Sequence, residues 1–314
     1  MRRLVLLTLV IAGLVAAIPA AAPARSASSD RIAFVRDGHI WTIAPDGSGA
    51  RQLTSGSDED GGPTWSPDRA TIAFVRQPTA WGSTPRIFTV LAAGGEAQVL
   101  AYRDAVGHPA YRFITGLAYS PDGGQLAFAD VYAFGSRYTQ RIRLLVIDLA
   151  SGETTVRIKR ENGFGGAIDP GWSLSWSPDG TTLLVAQAAM DSEGGQTQAF
   201  DIAKRRLHKL GIADASCASW APAGTSIVIS TATQAKTRIL LADPSGAVTR
   251  TLARGSSWNA SARHPAFRGA CFSVGGEQIA YTVDTGAATS SLWIMNADGT
   301  GKHRLTTGRS AAWR

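Results

Sequence analysis

The chain has 314 residues, enough for one large domain or two small ones, and its 44% hydrophobic and 18% charged content excludes an intrinsically disordered protein. Its 34 glycines are typical of a fold with many tight turns. The formal net charge of +7 would permit contact with an anionic polymer or surface, so the positions of the basic residues decide between partners.

Residues 1–24 have the pattern of a secretory signal peptide. Two arginines precede the apolar run from Leu4 to Ile18, and Ala22-Pro23-Ala24 supplies small residues for cleavage. We therefore predict a signal peptide over 1–24 and an extracytoplasmic mature protein, periplasmic or secreted, over 25–314. An uncleaved membrane anchor is the alternative, because the apolar run and the alanines after it could nearly span a bilayer.

A short motif, an aromatic residue followed by Ser-Pro-Asp-Gly, recurs along the rest of the chain, in places in degraded form. Asp-Gly favours a tight reversal, since glycine readily adopts positive φ. We therefore interpret the aspartates of this motif as turn formers and not as catalysts. The aromatic residues of the six copies are Trp65, Tyr119, Trp176, Trp220, Phe272 and Trp313.

Each copy continues into a four-residue apolar run that does not alternate with polar residues, as in Ile72-Ala73-Phe74-Val75. A strand that is apolar on both sides must be covered on both faces. In a propeller each blade packs against two neighbours, which covers both faces without a helix. A second apolar strand, a glycine turn and a basic fourth strand complete the repeat, so each repeat predicts one four-stranded blade.

The succession Ser-Pro-Asp-Gly, Ile-Ala-Phe, Ile-Trp, Asp-Gly and Leu-Thr resembles the WD40-like (PD40) repeat of the TolB propeller family. The resemblance covers nearly all of the chain after residue 24. It implies an all-β fold, a six-bladed β-propeller of four-stranded antiparallel blades. TolB itself has an α/β domain ahead of its propeller, whereas the first repeat here starts at about Asp30. We therefore expect that domain to be missing and expect no role in the Tol–Pal system.

The first repeat lacks an aromatic-Ser-Pro strand, and the end of the chain supplies a candidate for it. Residues 310–314 read Ser-Ala-Ala-Trp-Arg, with the aromatic residue in the expected place. We predict that this C-terminal strand completes the first blade and closes the ring, which removes an open sheet edge.

Linear catalytic motifs are absent from the sequence: it has no Gly-x-Ser-x-Gly elbow, no His-Glu-x-x-His and no phosphate-binding loop. The five histidines are scattered without ligand spacing. Asp58-Glu59-Asp60 lacks the spacing of an EF-hand and is interpreted as a solvated loop between the first two blades. We predict no metal and no cofactor. A binding scaffold is favoured, and the alternative is a glycan lyase or hydrolase whose site in the central funnel leaves no linear motif.

Two basic clusters, Arg157-Ile158-Lys159-Arg160 and Lys204 to Lys209, fall on predicted fourth strands at the outer edges of blades. Lysine and arginine on an edge strand commonly prevent edge-to-edge pairing. Because export also separates the protein from cellular DNA, we expect no nucleic-acid partner. We expect membrane contact only through an uncleaved signal segment.

The loops of a four-stranded blade divide between two faces of the ring. First-to-second and third-to-fourth turns share one, the short-turn face, while second-to-third turns and blade-to-blade links share the other, the long-loop face. The long-loop face is irregular and aromatic, so we predict that it binds a protein or cell-envelope glycan. We expect about half of its aromatic residues to pack beneath their own loops. The predicted contact residues are Trp81, Tyr102, Arg103, Tyr111, Arg112, Tyr132, Tyr138, Trp258 and Arg268.

Cys217 and Cys271 fall on the first strands of neighbouring blades, with the same side-chain parity. An exported protein can form disulfides, and a bridge here would need Cα atoms within about 7 Å. A disulfide and two buried free thiols are both open.

Overall fold

The computed structural model describes residues 30–79, 84–101, 111–134, 139–162, 172–187, 196–232, 236–256, 266–284 and 290–313. These residues form six four-stranded antiparallel sheets, which confirms the predicted all-β, six-bladed propeller. They include no helix that is long and apolar enough to cross a membrane. The predicted signal peptide, 1–24, lies outside the described residues.

Each sheet is one blade, and the strands take the following bounds. Blade 1 contains β1 (Ile32–Arg36), β2 (His39–Ile43), β3 (Arg51–Gln52) and the last strand, β24 (Arg309–Trp313). Blade 2 contains β4 (Glu59–Trp65), β5 (Thr71–Gln77), β6 (Arg86–Leu91) and β7 (Gln98–Val99). Blade 3 contains β8 (Tyr111–Tyr119), β9 (Gln125–Phe134), β10 (Thr139–Asp148) and β11 (Thr154–Asn162).

The second half of the ring repeats this plan. Blade 4 contains β12 (Trp172–Trp176), β13 (Thr182–Gln187), β14 (Gln196–Asp201) and β15 (Arg206–Ala213). Blade 5 contains β16 (Ala215–Trp220), β17 (Ile227–Ala232), β18 (Lys236–Ala242) and β19 (Val248–Ser256). Blade 6 contains β20 (Ala266–Phe272), β21 (Gln278–Asp284), β22 (Ser291–Asn296) and β23 (His303–Thr307).

The innermost strands, called inner strands below, are β24, β4, β8, β12, β16 and β20. Each contacts the inner strands of both neighbouring blades, so the six form a closed ring. The C-terminal strand β24 pairs antiparallel with β1, which confirms that the chain end closes the first blade.

The six aromatic residues of the repeat occupy equivalent positions, as predicted. Trp313 pairs with Ile32, the first residue of its apolar strand, just as Trp65 pairs with Ile72. The remaining pairs are Tyr119–Leu126, Trp176–Leu183, Trp220–Ile227 and Phe272–Ile279.

The hydrophobic core lies between blades. The run from Ile32 to Val35 is buried along its whole length, and so is the run from Ile72 to Val75. Clusters of buried side chains join residues of adjacent blades; in one of them, Trp313 of blade 1 packs with Ala280 and Leu292 of blade 6. Burying one large apolar side chain stabilises the fold by about 1.5–3 kcal/mol. The apolar runs therefore supply most of the stability of the contacts between blades.

The Ser-Pro-Asp turns are held by their own side chains. The Ser120 hydroxyl donates to Asp122 Oδ1 at 2.6 Å, and the same oxygen accepts the Gly124 backbone N–H at 3.0 Å. These hydrogen bonds hold the pKa of Asp122 below its usual value. The turns at Asp68 and Asp179 repeat the arrangement, which confirms the interpretation as turn formers.

The seam where the chain ends meet departs from this repeat. Gly123 has φ +75° and lies against Pro67 in the turn of the preceding blade. In blade 2 the same turn position is Arg69, at φ +63°, and the preceding blade is the one built from both chain ends. Arg69 reaches across and its Nη1 lies 3.1 Å from Asp30 Oδ1, just before β1. An arginine thus bridges the seam where the other turns place glycine against proline.

Candidate binding site at the channel mouth

The six inner strands enclose a central channel with a volume of about 780 Å³. Small residues line much of it, notably at the third position before each aromatic residue. These six lining residues are Gly62, Gly116, Ser173, Cys217, Gly269 and Ser310.

β-Bulges shape the channel wall. The register against the second strand shifts at Gly116 in β8 and at Gly269 in β20, and both glycines have positive φ, 64° and 58°. Such a bulge needs a residue in the left-handed region and bends the strand. Ser310 adopts the same conformation in the closing strand, with φ 55°. The bulges therefore set how the first half of each inner strand meets the channel.

The channel mouth lies on the long-loop face and is defined here by Arg268 and Arg309 of the inner strands β20 and β24, Thr282 and Asp284 of the second strand β21, and Ser290 just before β22. All five line the channel. Arg268 Nη2 lies 3.9 Å from Asp284 Oδ2, and their side chains are 46% and 27% exposed. The Ser310 N–H donates to Thr282 Oγ1 at 3.2 Å, which ties the closing strand to blade 6 and places Arg309 at the rim of the mouth.

The charges along the channel are unbalanced. Among the described lining residues, the charged ones are Arg69, Arg268, Arg309 and Asp284. Two arginines and one aspartate share the long-loop mouth, while Arg69, paired with Asp30, lies at the short-turn end. Among the described residues the mouth therefore carries more positive than negative charge, which suits a carboxylate or another anionic group.

The structure places the predicted contact residues in different environments. Arg268 lies at the channel mouth. The Arg112 side chain is 7% exposed and Tyr132 is buried, so both belong to the interior of blade 3. The backbone of Tyr111 is in β8. The other predicted contacts lie outside the described residues and stay predictions: Trp81, Tyr102, Arg103, Tyr138 and Trp258.

A buried ion cluster that the sequence reasoning missed explains Arg112. Its Nε donates to Asp130 Oδ1 at 2.7 Å, and Arg143 Nη2 donates to the other carboxylate oxygen. The Tyr132 ring lies 4.9 Å from the Arg143 guanidinium carbon. The sequence signal is Asp130 itself, an acid placed directly after the apolar run that ends at Ala129.

Asp60 corrects the interpretation of 58–60 as a solvated loop. Asp60 is buried in β4, and its two carboxylate oxygens accept from Arg76 Nε at 2.7 Å and Nη2 at 2.9 Å. Arg76 directly follows the apolar run of β5 and faces Asp60 across the strand pair. The register of the pair, not loop chemistry, thus fixes this acid.

The two cysteines are free thiols. Cys217 Sγ lies 3.2 Å from Ser173 Oγ and 3.8 Å from the Ala270 carbonyl oxygen of the next blade, whereas Cys271 Sγ lies 3.4 Å from Ala311 O, one blade further on. Although the two cysteines have the same parity along their strands, their sulfur atoms therefore lie on opposite sides of β20. The sequence left a disulfide and two free thiols open; the structure has the thiols unbridged, and a bridge would require Cys271 to change sides.

Two properties of the site concern its thiols and its potential metal ligands. Burial raises the pKa of both thiols, that of Cys271 to about 12, so both are protonated and weakly nucleophilic at neutral pH. Within the described ranges, no group of three or more His, Cys, Asp or Glu side chains is placed to hold a metal ion.

A closed ring of six four-stranded blades around a channel is a six-bladed β-propeller, and its fold is similar to that of TolB structures. TolB from Acinetobacter baumannii is 18% identical with a TM-score of 0.66; the match covers 91% of this chain and 66% of that one, so the chain spans just under two thirds of that relative. A candidate TolB from Agrobacterium tumefaciens is 14% identical with a TM-score of 0.62, covering 90% and 91%.

An oligogalacturonate lyase in complex with manganese shares the fold more distantly, with 19% identity, a TM-score of 0.53 and coverage of 86% and 70%. No protein-family model matches the sequence, and a search of curated proteins finds no match. At these identities the similarities establish the fold alone.

Proposed function

We propose that the protein is an extracytoplasmic TolB-like propeller that binds a protein or a cell-envelope glycan through its long-loop face, centred on the channel mouth. The extracytoplasmic location rests on the predicted signal peptide. The observation that carries the binding role is the channel mouth, where Arg268 and Arg309 outnumber Asp284 at the open end of a channel lined by small residues.

The scaffold suits recognition because it is rigid while its loops vary. Buried clusters join adjacent blades, and the inner strands form a closed ring, so the strand ends that border the mouth have fixed positions. Loops on such a scaffold commonly carry binding, and arginine is enriched among residues that dominate interface energies. An acidic side chain or a uronate carboxylate of the partner would complement the two arginines.

The test is affinity capture from the native cell envelope with the mature protein as bait, followed by titration of the purified partner. Arg268→Gln and Arg309→Gln remove the excess charge of the mouth and should together weaken binding by about tenfold or more. Arg69→Gln is the matched control, because it removes an ion-paired arginine from the opposite end of the same channel. Loss of binding in the Arg69→Gln control, together with normal binding in the two mouth variants, would place the binding site on the short-turn face and contradict the proposal.

The second candidate is a funnel-site glycan lyase or hydrolase, suggested by the shared fold with the oligogalacturonate lyase. Incubation with oligogalacturonides, with and without manganese, tests it directly. Cleavage products that disappear in the Arg268→Gln variant would favour the enzyme over the binding scaffold.

A further inference from the structure

The outer rim between blades 3 and 4 carries a concentration of cations. Strands β11 and β15 are the outermost strands of these blades, and the turn at 202–205 precedes β15. The exposed basic side chains here are Lys159, Lys204, Arg205, Arg206 and Lys209. Lys204 is ion-paired, since its ammonium lies 3.0 Å from Asp201 Oδ2.

Two arginines of this rim, one from each blade, lie close together at the blade boundary. Arg205 Nη2 donates to the backbone carbonyl oxygen of Val156 at 3.3 Å, which brings its guanidinium beside the next residue, Arg157. Arg157 Nε is buried and has no hydrogen-bond partner among the described residues. Burial and the charge of Arg205 lower the pKa of Arg157, as expected for like charges held close together.

The boundary between blades 5 and 6 shows how the same contact is completed elsewhere. There the donor is on the outer strand and the acceptor in the third-to-fourth turn of the neighbouring blade: Arg250 Nη1 donates to the Asp298 carbonyl oxygen at 3.3 Å. The charge of Arg250 helps to lower the pKa of the Asp298 carboxylate, so this arginine has an acid nearby. At the boundary of blades 3 and 4 the turn of blade 4 brings another arginine, Arg205, and not an acid, close to the outer-strand arginine.

We propose that the notch between Arg157 and Arg205 binds a phosphate group. Phosphate carries between one and two negative charges and offers several acceptor oxygens, so it can accept from two guanidinium groups at once. A planar carboxylate, by contrast, satisfies one guanidinium in the bidentate mode. The exposed Lys159, Arg206 and Lys209 add positive potential that attracts the anion. The site is remote from the channel mouth and independent of the function proposed there.

Inorganic phosphate is the first probe, titrated by calorimetry and thermal shift at constant ionic strength against chloride. Arg157→Gln and Arg205→Gln should each weaken phosphate binding by about tenfold or more, since each removes a charge-assisted hydrogen bond. Arg157→Gln should not lower the melting temperature in phosphate-free buffer, because it relieves repulsion between like charges. This second readout separates loss of the site from loss of the fold.

Lys204→Gln is the matched control, because it removes one charge from the same turn but from an ammonium already paired with Asp201; it should keep wild-type phosphate affinity. Equal responses to phosphate and chloride, or wild-type affinity in both arginine variants, would overturn the proposal. Co-sedimentation with phosphatidylglycerol vesicles and binding to soluble poly(glycerol phosphate) then distinguish a lipid headgroup from a polymer as the source of the phosphate. Binding to either, if it depends on Arg157 and Arg205, supports the site.

Discussion

Trp313→Ala tests whether the C-terminal strand closes the ring. Trp313 is 6% exposed, pairs with Ile32 and packs in the core shared by blades 1 and 6. Truncating a buried tryptophan typically costs about 3–5 kcal/mol, against a total stability of about 5–15 kcal/mol for a domain. Deleting residues 311–314 should cost more, because it also breaks the β24–β1 pairing and exposes the inner edge of β1.

Urea denaturation followed by circular dichroism measures both changes, and Trp176→Ala is the matched control. Trp176 occupies the equivalent position in blade 4, is 8% exposed and donates from Nε1 to the Ala118 carbonyl oxygen at 3.1 Å. Its substitution should therefore cost at least as much as Trp313→Ala. A deletion that costs no more than Trp313→Ala would contradict this prediction, because pairing of β24 with β1 would then add no stability beyond the burial of one side chain.

Three further predictions concern the turns and the long-loop face. Gly123→Ala should lower the free energy of unfolding by about 1–2 kcal/mol in urea, because Gly123 has φ +75°, whereas Arg69→Gly at the equivalent position should not destabilise. Eight turn aspartates, Asp122 among them, have pKa values lowered by hydrogen bonds, so the stability they add is present above the ordinary value of 3.8 and lost as pH falls through the lowered values. A melting temperature that stays constant from pH 6 to pH 2 would contradict this prediction. Asp122→Asn should make the fall of the melting temperature with decreasing pH less steep. Alanine substitution on the long-loop face should weaken capture of the partner by more than about tenfold while circular dichroism stays unchanged; the four positions are Trp81, Tyr111, Tyr138 and Trp258.

The repeat made the fold predictable. An aromatic residue, a Ser-Pro-Asp turn and an apolar run recur at corresponding positions, and each element has a local physical cause that acts without knowledge of the rest of the chain. The turn at Asp122 is closed by its own side chain and backbone, and the run from Ile72 to Val75 must be covered on both faces wherever it lies. Even ring closure followed from the repeat, because Trp313 has the spacing of the missing strand.

The buried ion pairs were not predictable, because they depend on strand register. Asp60 meets Arg76, and Asp130 meets Arg112 and Arg143, only once the strand pairs are aligned residue by residue. A shift of one residue would send these side chains to opposite faces. Sequence reasoning therefore assigned Asp60 to solvent and Arg112 to the binding surface.

The channel mouth was only partly predictable, again because its residues become neighbours only when strands are placed side by side. Arg268 stood out as an arginine in an irregular link, whereas Arg309 belongs to the closing strand and reaches the mouth only because the chain end lies beside blade 6. Asp284 ends a second strand, where the sequence pattern gave no functional signal. The mouth combines residues of blade 6 with Arg309 of the closing strand, so its members can be recognised as neighbours only once that strand has been placed in the ring.

Departures from the repeat separate residues that the fold requires from residues that it does not. The hydrogen bonds of the Ser-Pro-Asp turns and the buried apolar runs serve the same structural purpose in successive blades. The arginines of the channel mouth and of the rim take no part in those hydrogen bonds or apolar runs, although blade 5 also has an outer-strand arginine, Arg250, in contact with Asp298. Like charges held close together at the rim cost stability in an isolated propeller, and an anionic partner would offset that cost. The two arginine pairs are therefore the places where substitution is expected to change binding more than folding.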